Sequence, residues 1–235
     1  ASKGIGLACA RRFAAEGCNL CLVSRTRADL EKAQRELEVA HPSITVRIFD
    51  VDLGNRGCVQ SLLERVGAAR IDLLVNNAGA IPAGSLFEVD EATWREAWDL
   101  KVFAYINLCR AVYAQMKENN GGVIINICGA AANKPQFDYI AGSTANIALE
   151  QLTKALGGQS LRDSIRVVGI HPGPVWTPRL AKFLQNKAPL EGPFKPAEPS
   201  EIADLAAFLA SPLARNITGT VITSDGGNSS RHSLL

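Results

Sequence analysis

Short apolar runs alternate with longer amphipathic stretches along almost the whole chain, and no other feature limits the fold as strongly. After the glycine turn ASKGIG comes a helical pattern with apolar Ile5, Leu7, Ala8, Ala10, Phe13 and Ala14, and then an apolar run in NLCLVSRT. The helix ADLEKAQRELEVA, the strand TVRIFDVDL, a helix over Val59–Val66 and the strand IDLLVNNAG follow. Next are a helix over Glu91–Met116, a strand over Val123–Ile127, and a helix opened by Tyr139 whose Ile140, Ile147, Leu149 and Leu152 suit a packed face. The strand IRVVGIHPG, a looser stretch over Pro174–Pro199, a helix over Ser200–Leu209 and the strand GTVITSDGG complete the series. Such βαβ alternation predicts an α/β fold: a Rossmann-type, doubly wound parallel sheet with helices on both faces, in a single domain spanning 1–235. A glycine turn that opens a helix normally follows a strand, and nothing precedes Ala1. The first strand is therefore expected to be missing from the given chain, with roughly a dozen further residues upstream, about two average strands' worth.

With 235 residues and 47% hydrophobic side chains the chain can bury a full core. Its apolar runs fall well short of the ~20 residues that a membrane span needs. No signal-peptide pattern opens it, so a cytoplasmic protein is the expectation. Basic and acidic residues number 25 and 23, without a long basic block, which leaves no electrostatic footprint for nucleic acid. Small molecules remain as partners. Cys9, Cys18, Cys21, Cys58, Cys109 and Cys128 fall within predicted helices and strands, as buried thiols in a reducing compartment would. Cys18 and Cys21 spell CxxC, but no second pair with histidine follows, and no metal is expected.

Five landmarks in order, ASKGIG, NNAG at Asn76–Gly79, the helix opened by Tyr139, PGPVWT at Pro172–Thr177 and the final ITGTVITSDGG, resemble the short-chain dehydrogenase/reductase family over nearly the whole chain. The resemblance implies a nicotinamide cofactor and hydride transfer to or from a carbonyl or alcohol carbon. Gly4 and Gly6, with Ser2 and Ile5 in the same turn, let backbone approach a pyrophosphate at a helix N-terminus. Alternatively they are only a helix start with glycines for packing. An acidic residue at the end of the next strand would hold the adenosine ribose and repel an extra phosphate, yet here that strand ends in Ser24 and Arg25. Lys3 lies across the same pocket by family analogy. Two cations and a hydroxyl suit a 2′-phosphate, so NADP(H) is favoured, with NAD(H) as the alternative and plain surface charge as the simpler account. Asp52 resembles the family's adenine-contacting aspartate, or is a turn former. Asn76, Ala78 and Gly79 resemble the segment beside the ribose, as much structural as ligand-binding. Pro172, Gly173 and Thr177 resemble the turn and the threonine at the nicotinamide, and His171 before them is read as structural.

The family's catalytic groups are an asparagine on the preceding helix, a serine past the strand, a tyrosine, and a lysine four residues after it. In this chain Tyr139 is present, the lysine position reads Ser143, the asparagine position reads Lys101, and the serine position falls at Cys128 or Gly129. The loop from strand to tyrosine looks two or three residues shorter than the family's. A tyrosine hydroxyl with an ordinary pKa of ~10 is barely ionised at neutral pH. A cation ~4 to 5 Å away at an effective dielectric of ~20 favours the phenolate by roughly 3 to 4 kcal/mol. Ser143 can orient the phenol but supplies no such field. One account has Lys101 reach the site and replace the missing lysine; a simpler one leaves Lys101 in solvent or paired with Asp99 or Glu96. Substitutes for the serine are Lys101, Gln136, Asn133 or a backbone N–H, while Lys134 and Asp138 suit a solvated loop. The alternative to an enzyme is a catalytically impaired dinucleotide-binding sensor or assembly protein.

By analogy residues 174–199 cover the substrate, and Trp176, Leu180, Phe183, Leu184 and Phe194 suggest an apolar wall that favours a hydrophobic alcohol or ketone over a sugar, or merely a lid packed on the domain. The helix over Glu91–Met116 and the Tyr139 helix resemble those that pair in family oligomers, implying a homodimer or homotetramer.

Overall fold

A computed structural model of the chain describes residues 1–178, 180–181 and 195–230. Among these residues six strands run β1 Leu20–Ser24, β2 Val46–Asp50, β3 Leu73–Asn76, β4 Gly122–Ile127, β5 Ile165–Pro172 and β6 Thr220–Ser224. The helices are α1 Gly4–Ala15, α2 Arg27–Ala40, α3 Cys58–Val66, α4 Glu91–Trp98, α5 Ala104–Glu118, α6 Ile140–Ser160 and α7 Pro199–Ala210. All pairings are parallel: β1 with β2, and β3, β4, β5 and β6 in that order. The two groups share no ladder, and the backbone nitrogen of Ala1 meets Val23 O on the flank of β1 at 2.6 Å.

Alternate pleats explain how the strand runs are used. Ile125 and Ile127 of β4, with Val168 and Ile170 of β5, pack against Phe13 of α1 and Ile202, Ala206 and Leu209 of α7. Ile124, Ile165 and Val167 face the other way, onto Cys109, Val112 and Met116 of α5. Helices thus cover both faces of the larger sheet, and all eight residues of β5 are buried. Arg166 of β5 is buried as well, but its guanidinium donates to the carbonyls of Leu209, Ala210 and Ser211 and so caps the C-terminal end of α7. No helix among the described residues is long and apolar enough to cross a membrane.

Four expectations need correction. The helix expected over Glu91–Met116 is interrupted by a π-helical turn at Asp99–Phe103 and runs on to Glu118. Tyr139 is the residue capping α6 rather than part of its first turn. Ile147 faces outward at 39% exposure, since the packed stripe of α6 passes instead through Ala141, Ala145 and Leu149. Cys18 and Cys21 are exposed, Cys18 before β1 begins and Cys21 on the pleat opposite buried Leu22, beside Arg47. Cys9, Cys109 and Cys128 are buried, and burial pushes each thiol up to about 12. Among the described residues no cluster could hold a metal ion.

Candidate active site

The glycine turn opens α1 beside the C-terminal ends of the strands. Lys3 is extended and gives no side-chain cap, and the first turn holds no acidic residue, so nothing on α1 competes with an anion at its positive end. Gly4 has φ +54°, and a Cβ there would lie 3.2 Å from Thr177 Cγ2; at Gly6 it would lie 2.8 Å from Asn77 Nδ2. The turn is therefore pressed between the segment after β3 and the segment after β5. These are the Ser2–Gly6, Asn76–Gly79 and Pro172–Thr177 landmarks, brought together at one edge of the sheet. Gly173 closes on Asp225, whose carboxylate accepts from the Gly227 and Ser229 amides. These contacts are the chain's own packing, and it is the α1 N-terminus, without a side-chain cap or an acidic first turn, that suits the pyrophosphate of a dinucleotide.

The side chains expected at the adenosine end have local partners. Ser2 donates to Ser24 Oγ at 3.1 Å, Arg25 is exposed, and Lys3 pairs with Asp29 of α2 at 2.7 Å. Asp52 accepts from the Gly54 amide at 3.0 Å and so forms the turn after β2. Asn76 is buried in a polar ladder across the sheet: its amide donates to Asn126 Oδ1, and Asn126 donates to Thr153 Oγ1, both at 2.9 Å. Ala78 and Gly79 are half-buried just beyond it. A Cβ on Gly79 would lie 3.1 Å from Lys101 Cδ, so this glycine also leaves room for the lysine stem.

Lys101 sits in the π turn and is only 8% exposed. A π turn carries one more residue than an α turn, a feature frequent at functional sites. The Lys101 side chain runs inward past Gly79. Its ammonium donates to Cys128 O at 2.7 Å, just past the end of β4, and to Asn146 Oδ1 of α6 at 2.8 Å. The solvent-facing account of Lys101 is thereby set aside.

Tyr139 packs against a cluster containing Ile81, Val102, Ala141 and Ala145. Its backbone bridges to Gly84, whose amide donates to Asp138 O at 2.6 Å, and Trp98 Nε1 donates to Ala141 O in the next turn. Ser143 is buried, and its Oγ accepts from the Gln136 amide at 3.2 Å, which ties down the loop before α6. Asn133 donates to Thr223 Oγ1, and Gln136, Lys134 and Asp138 are exposed. Trp176 is exposed and Leu180 half-buried, while Phe183, Leu184 and Phe194 of the expected apolar wall lie outside the described residues.

A buried pair enters the site that the sequence left apart. His171 Nε2 lies 2.8 Å from Glu150 Oε2, and its Nδ1 accepts the Gly129 N–H at 3.2 Å. With Nδ1 an acceptor, the proton belongs on Nε2, facing the carboxylate. Burial holds the imidazole below its usual pKa despite the Glu150 charge. Burial would raise the Glu150 carboxyl, but hydrogen bonds from Lys154 and His171 outweigh it and hold the group low. One sequence signal pointed here: Glu150 is an acid four residues beyond Asn146, on the same side of a helix rich in small residues.

The profile of the "Enoyl-(Acyl carrier protein) reductase" family matches residues 1–229. Among curated relatives, galactitol 2-dehydrogenase (L-tagatose-forming) of Cereibacter sphaeroides is 34% identical, covering 97% of this chain and 91% of that protein. Dehydrogenase/reductase SDR family member 4 of Oryctolagus cuniculus is 30% identical, covering 98% and 91%. Among solved structures, L-sorbose reductase of Gluconobacter frateurii, complexed with NADPH and L-sorbose, superposes with a TM-score of 0.89 at 30% identity, covering 98% of this chain and 94% of that one.

Proposed function

We propose, from the premise that the chain belongs to the short-chain dehydrogenase/reductase family, that Tyr139 is its general acid/base and Lys101 the cation that supports it. The protein is an NAD(P)-dependent oxidoreductase with NADP(H) as its cofactor, as the family match and an NADPH-bound neighbour support. The observation that carries the catalytic assignment is the seating of the Lys101 ammonium, buried between the end of β4 and the helix that Tyr139 caps.

The bound nicotinamide would supply or accept the hydride. The chain's own residues do the rest. The α1 N-terminus and the Gly4–Gly6 turn would hold the pyrophosphate, and Pro172, Gly173 and Thr177 the nicotinamide end. Asn76–Gly79 would line the ribose and Asp52 would meet the adenine. Arg25, flanked by Ser2 and Ser24, would grip the 2′-phosphate; Lys3 joins it when it leaves Asp29. In reduction the Tyr139 hydroxyl gives its proton to the carbonyl oxygen, and in oxidation it takes that proton back. Lys101 supplies the positive field that favours the charged form of a phenol. Ser143 supports this arrangement through the Gln136 loop rather than by touching the reacting atoms.

The substrate is a carbonyl or alcohol small molecule, and L-sorbose, after the neighbouring reductase structure, and a ketosteroid, as a hydrophobic ketone, are suitable first probes. Exposed Phe103 beside α5 and Ile147 on α6 support a homodimer or homotetramer built on these helices. The deciding experiment is Tyr139→Phe. NADPH affinity should stay within a factor of about two while turnover falls by ~10²-fold or more, the scale of a lost acid/base. Equal turnover by the two proteins would remove Tyr139 from the chemistry, and NADPH binding without turnover in wild type would favour a sensor.

A further inference from the structure

Tyr139 caps a helix and Lys101 lies in a π turn of another, so neither begins where a tyrosine–lysine pair four residues apart on one helix would place it. Their ends nevertheless come to two positions with that spacing. A Cβ built on Gly142 would clash with the face of the Tyr139 ring, against Cζ and Cε1 and 2.6 Å from Cε2. The ring therefore fills the volume that a side chain at 142 would occupy. The Lys101 ammonium lies on the side chain of Asn146. Residues 142 and 146 are one turn apart on the same stripe of α6, both buried.

We propose that Gly142 and Asn146 are the tyrosine and lysine stations of this fold, refilled from outside α6. The phenol ring comes from the cap three residues earlier, and the ammonium comes from the π turn. Lys101 and Asn146 have in effect exchanged side chains between two helices, since the family's asparagine belongs at position 101. Two further observations agree. The loop between β4 and the tyrosine is two or three residues short if Tyr139 is the station; with 142 as the station the deficit disappears. A Cβ on Gly129, one of the two candidate serine positions, would lie 2.7 Å from Asn146 Nδ2, so the serine station faces the lysine station. Asn146 is thus a positioning residue for Lys101, and Gly142 is a required space for Tyr139.

The chemistry assigned to these stations rests on the function proposed above, but the placement does not, and the tests separate them. In the full chain, Lys101→Asn, Asn146→Lys and the double exchange are compared by thermal midpoint, NADPH affinity and turnover. Asn146→Lys alone sets two ammonium groups together and should lower the midpoint. The double exchange returns one ammonium and one amide to the same place, and should recover most of the midpoint lost by the singles. It should also bring turnover back to within about tenfold of wild type, a loss of about one decade for a shift of ~1.4 kcal/mol. A double-exchange midpoint equal to the sum of the two single losses would overturn the proposal. With fluorotyrosine incorporated, Gly142→Ala should move the ¹⁹F resonance of Tyr139, assigned by its loss in Tyr139→Phe, and leave those of Tyr105 and Tyr113 in place. An unmoved Tyr139 resonance would equally overturn it. If wild type binds NADPH without turnover, the functional proposal fails while the midpoint and ¹⁹F results still decide the placement.

Discussion

Replacing Lys101 by Met separates the cost to the fold from the cost to the chemistry. The ammonium makes two charge-assisted hydrogen bonds, to Cys128 O at 2.7 Å and Asn146 Oδ1 at 2.8 Å. At roughly 1.5 to 3 kcal/mol each, their loss would cost about 3 to 6 kcal/mol. Against this stands the desolvation of an ammonium that is only 8% exposed, a penalty of several kcal/mol that Met does not incur. The two effects nearly cancel, leaving a net change within about 2 kcal/mol, or about 4 to 8 °C in midpoint for a chain of this size. Turnover has no such compensation. At the ~4 to 5 Å that its proposed role requires, a cation would contribute roughly 3 to 4 kcal/mol to the charged form of the phenol at an effective dielectric of ~20, so in that role its loss should lower kcat by about 10²- to 10³-fold. Scanning calorimetry, NADPH fluorescence titration and initial rates read the three quantities in one preparation. A Lys101→Met protein that binds NADPH normally and turns over within about threefold of wild type would refute the reasoning.

Other perturbations have equally definite outcomes. Arg25→Asp should reverse the preference between NADPH and NADH, measured as the ratio of their dissociation constants, by placing a carboxylate where the 2′-phosphate is expected. Asp29→Asn releases Lys3 from its 2.7 Å pair and should tighten NADPH a few-fold at low salt, with the gain vanishing as salt rises. Both members of the Glu150–His171 pair are held below their ordinary pKa values, so an unfolded chain binds protons there that the folded chain does not. The resulting stability is present above an unfolded histidine pKa of ~6.5 and is lost as pH falls, with a slope of at most about 1.4 kcal/mol per pH unit for each proton. Calorimetry from pH 7 to 5 should show a falling midpoint, flatter in His171→Asn. Arg166→Met strands the C-terminal carbonyls of α7 and should cost about 3 kcal/mol, a drop of roughly 6 to 12 °C in midpoint.

The parallel sheet and its helices were legible because a strand buried on both faces needs a mostly apolar run, and IRVVGIHPG and VIINI are such runs, broken only by Arg166, His171 and Asn126, whose polar groups are met by buried hydrogen bonds. The gathering of the glycine landmarks beside the strand ends was legible because their glycines do a backbone's work that no other residue type does as readily. What stayed hidden was tertiary. The π turn at Asp99–Phe103 has no propensity signature that distinguishes it from the α-helix on either side. The fold-back of Tyr139 onto Gly142 could not be read from spacing, since the tyrosine itself looked like the landmark and drew the reading to Ser143. The His171–Glu150 contact joins residues 21 apart in sequence, and only the isolated acid on α6 hinted at it. Cys18 and Cys21 misled in the opposite direction, as neighbours of an apolar run that turned out to lie outside its buried pleat.

Hydride transfer itself is the most direct measure of the central claim, that Tyr139 and Lys101 make this divergent site a working oxidoreductase. NADPH carrying deuterium at its transferable C4 position is incubated with the full chain and a panel of ketoses, ketosteroids and simple ketones, and the label is located in the products by mass spectrometry. Deuterium at the new carbinol carbon of at least one product, absent with Tyr139→Phe and strongly reduced with Lys101→Met, is the predicted result. Saturable NADPH binding with no label in any product, or equal labelling by all three proteins, would contradict it.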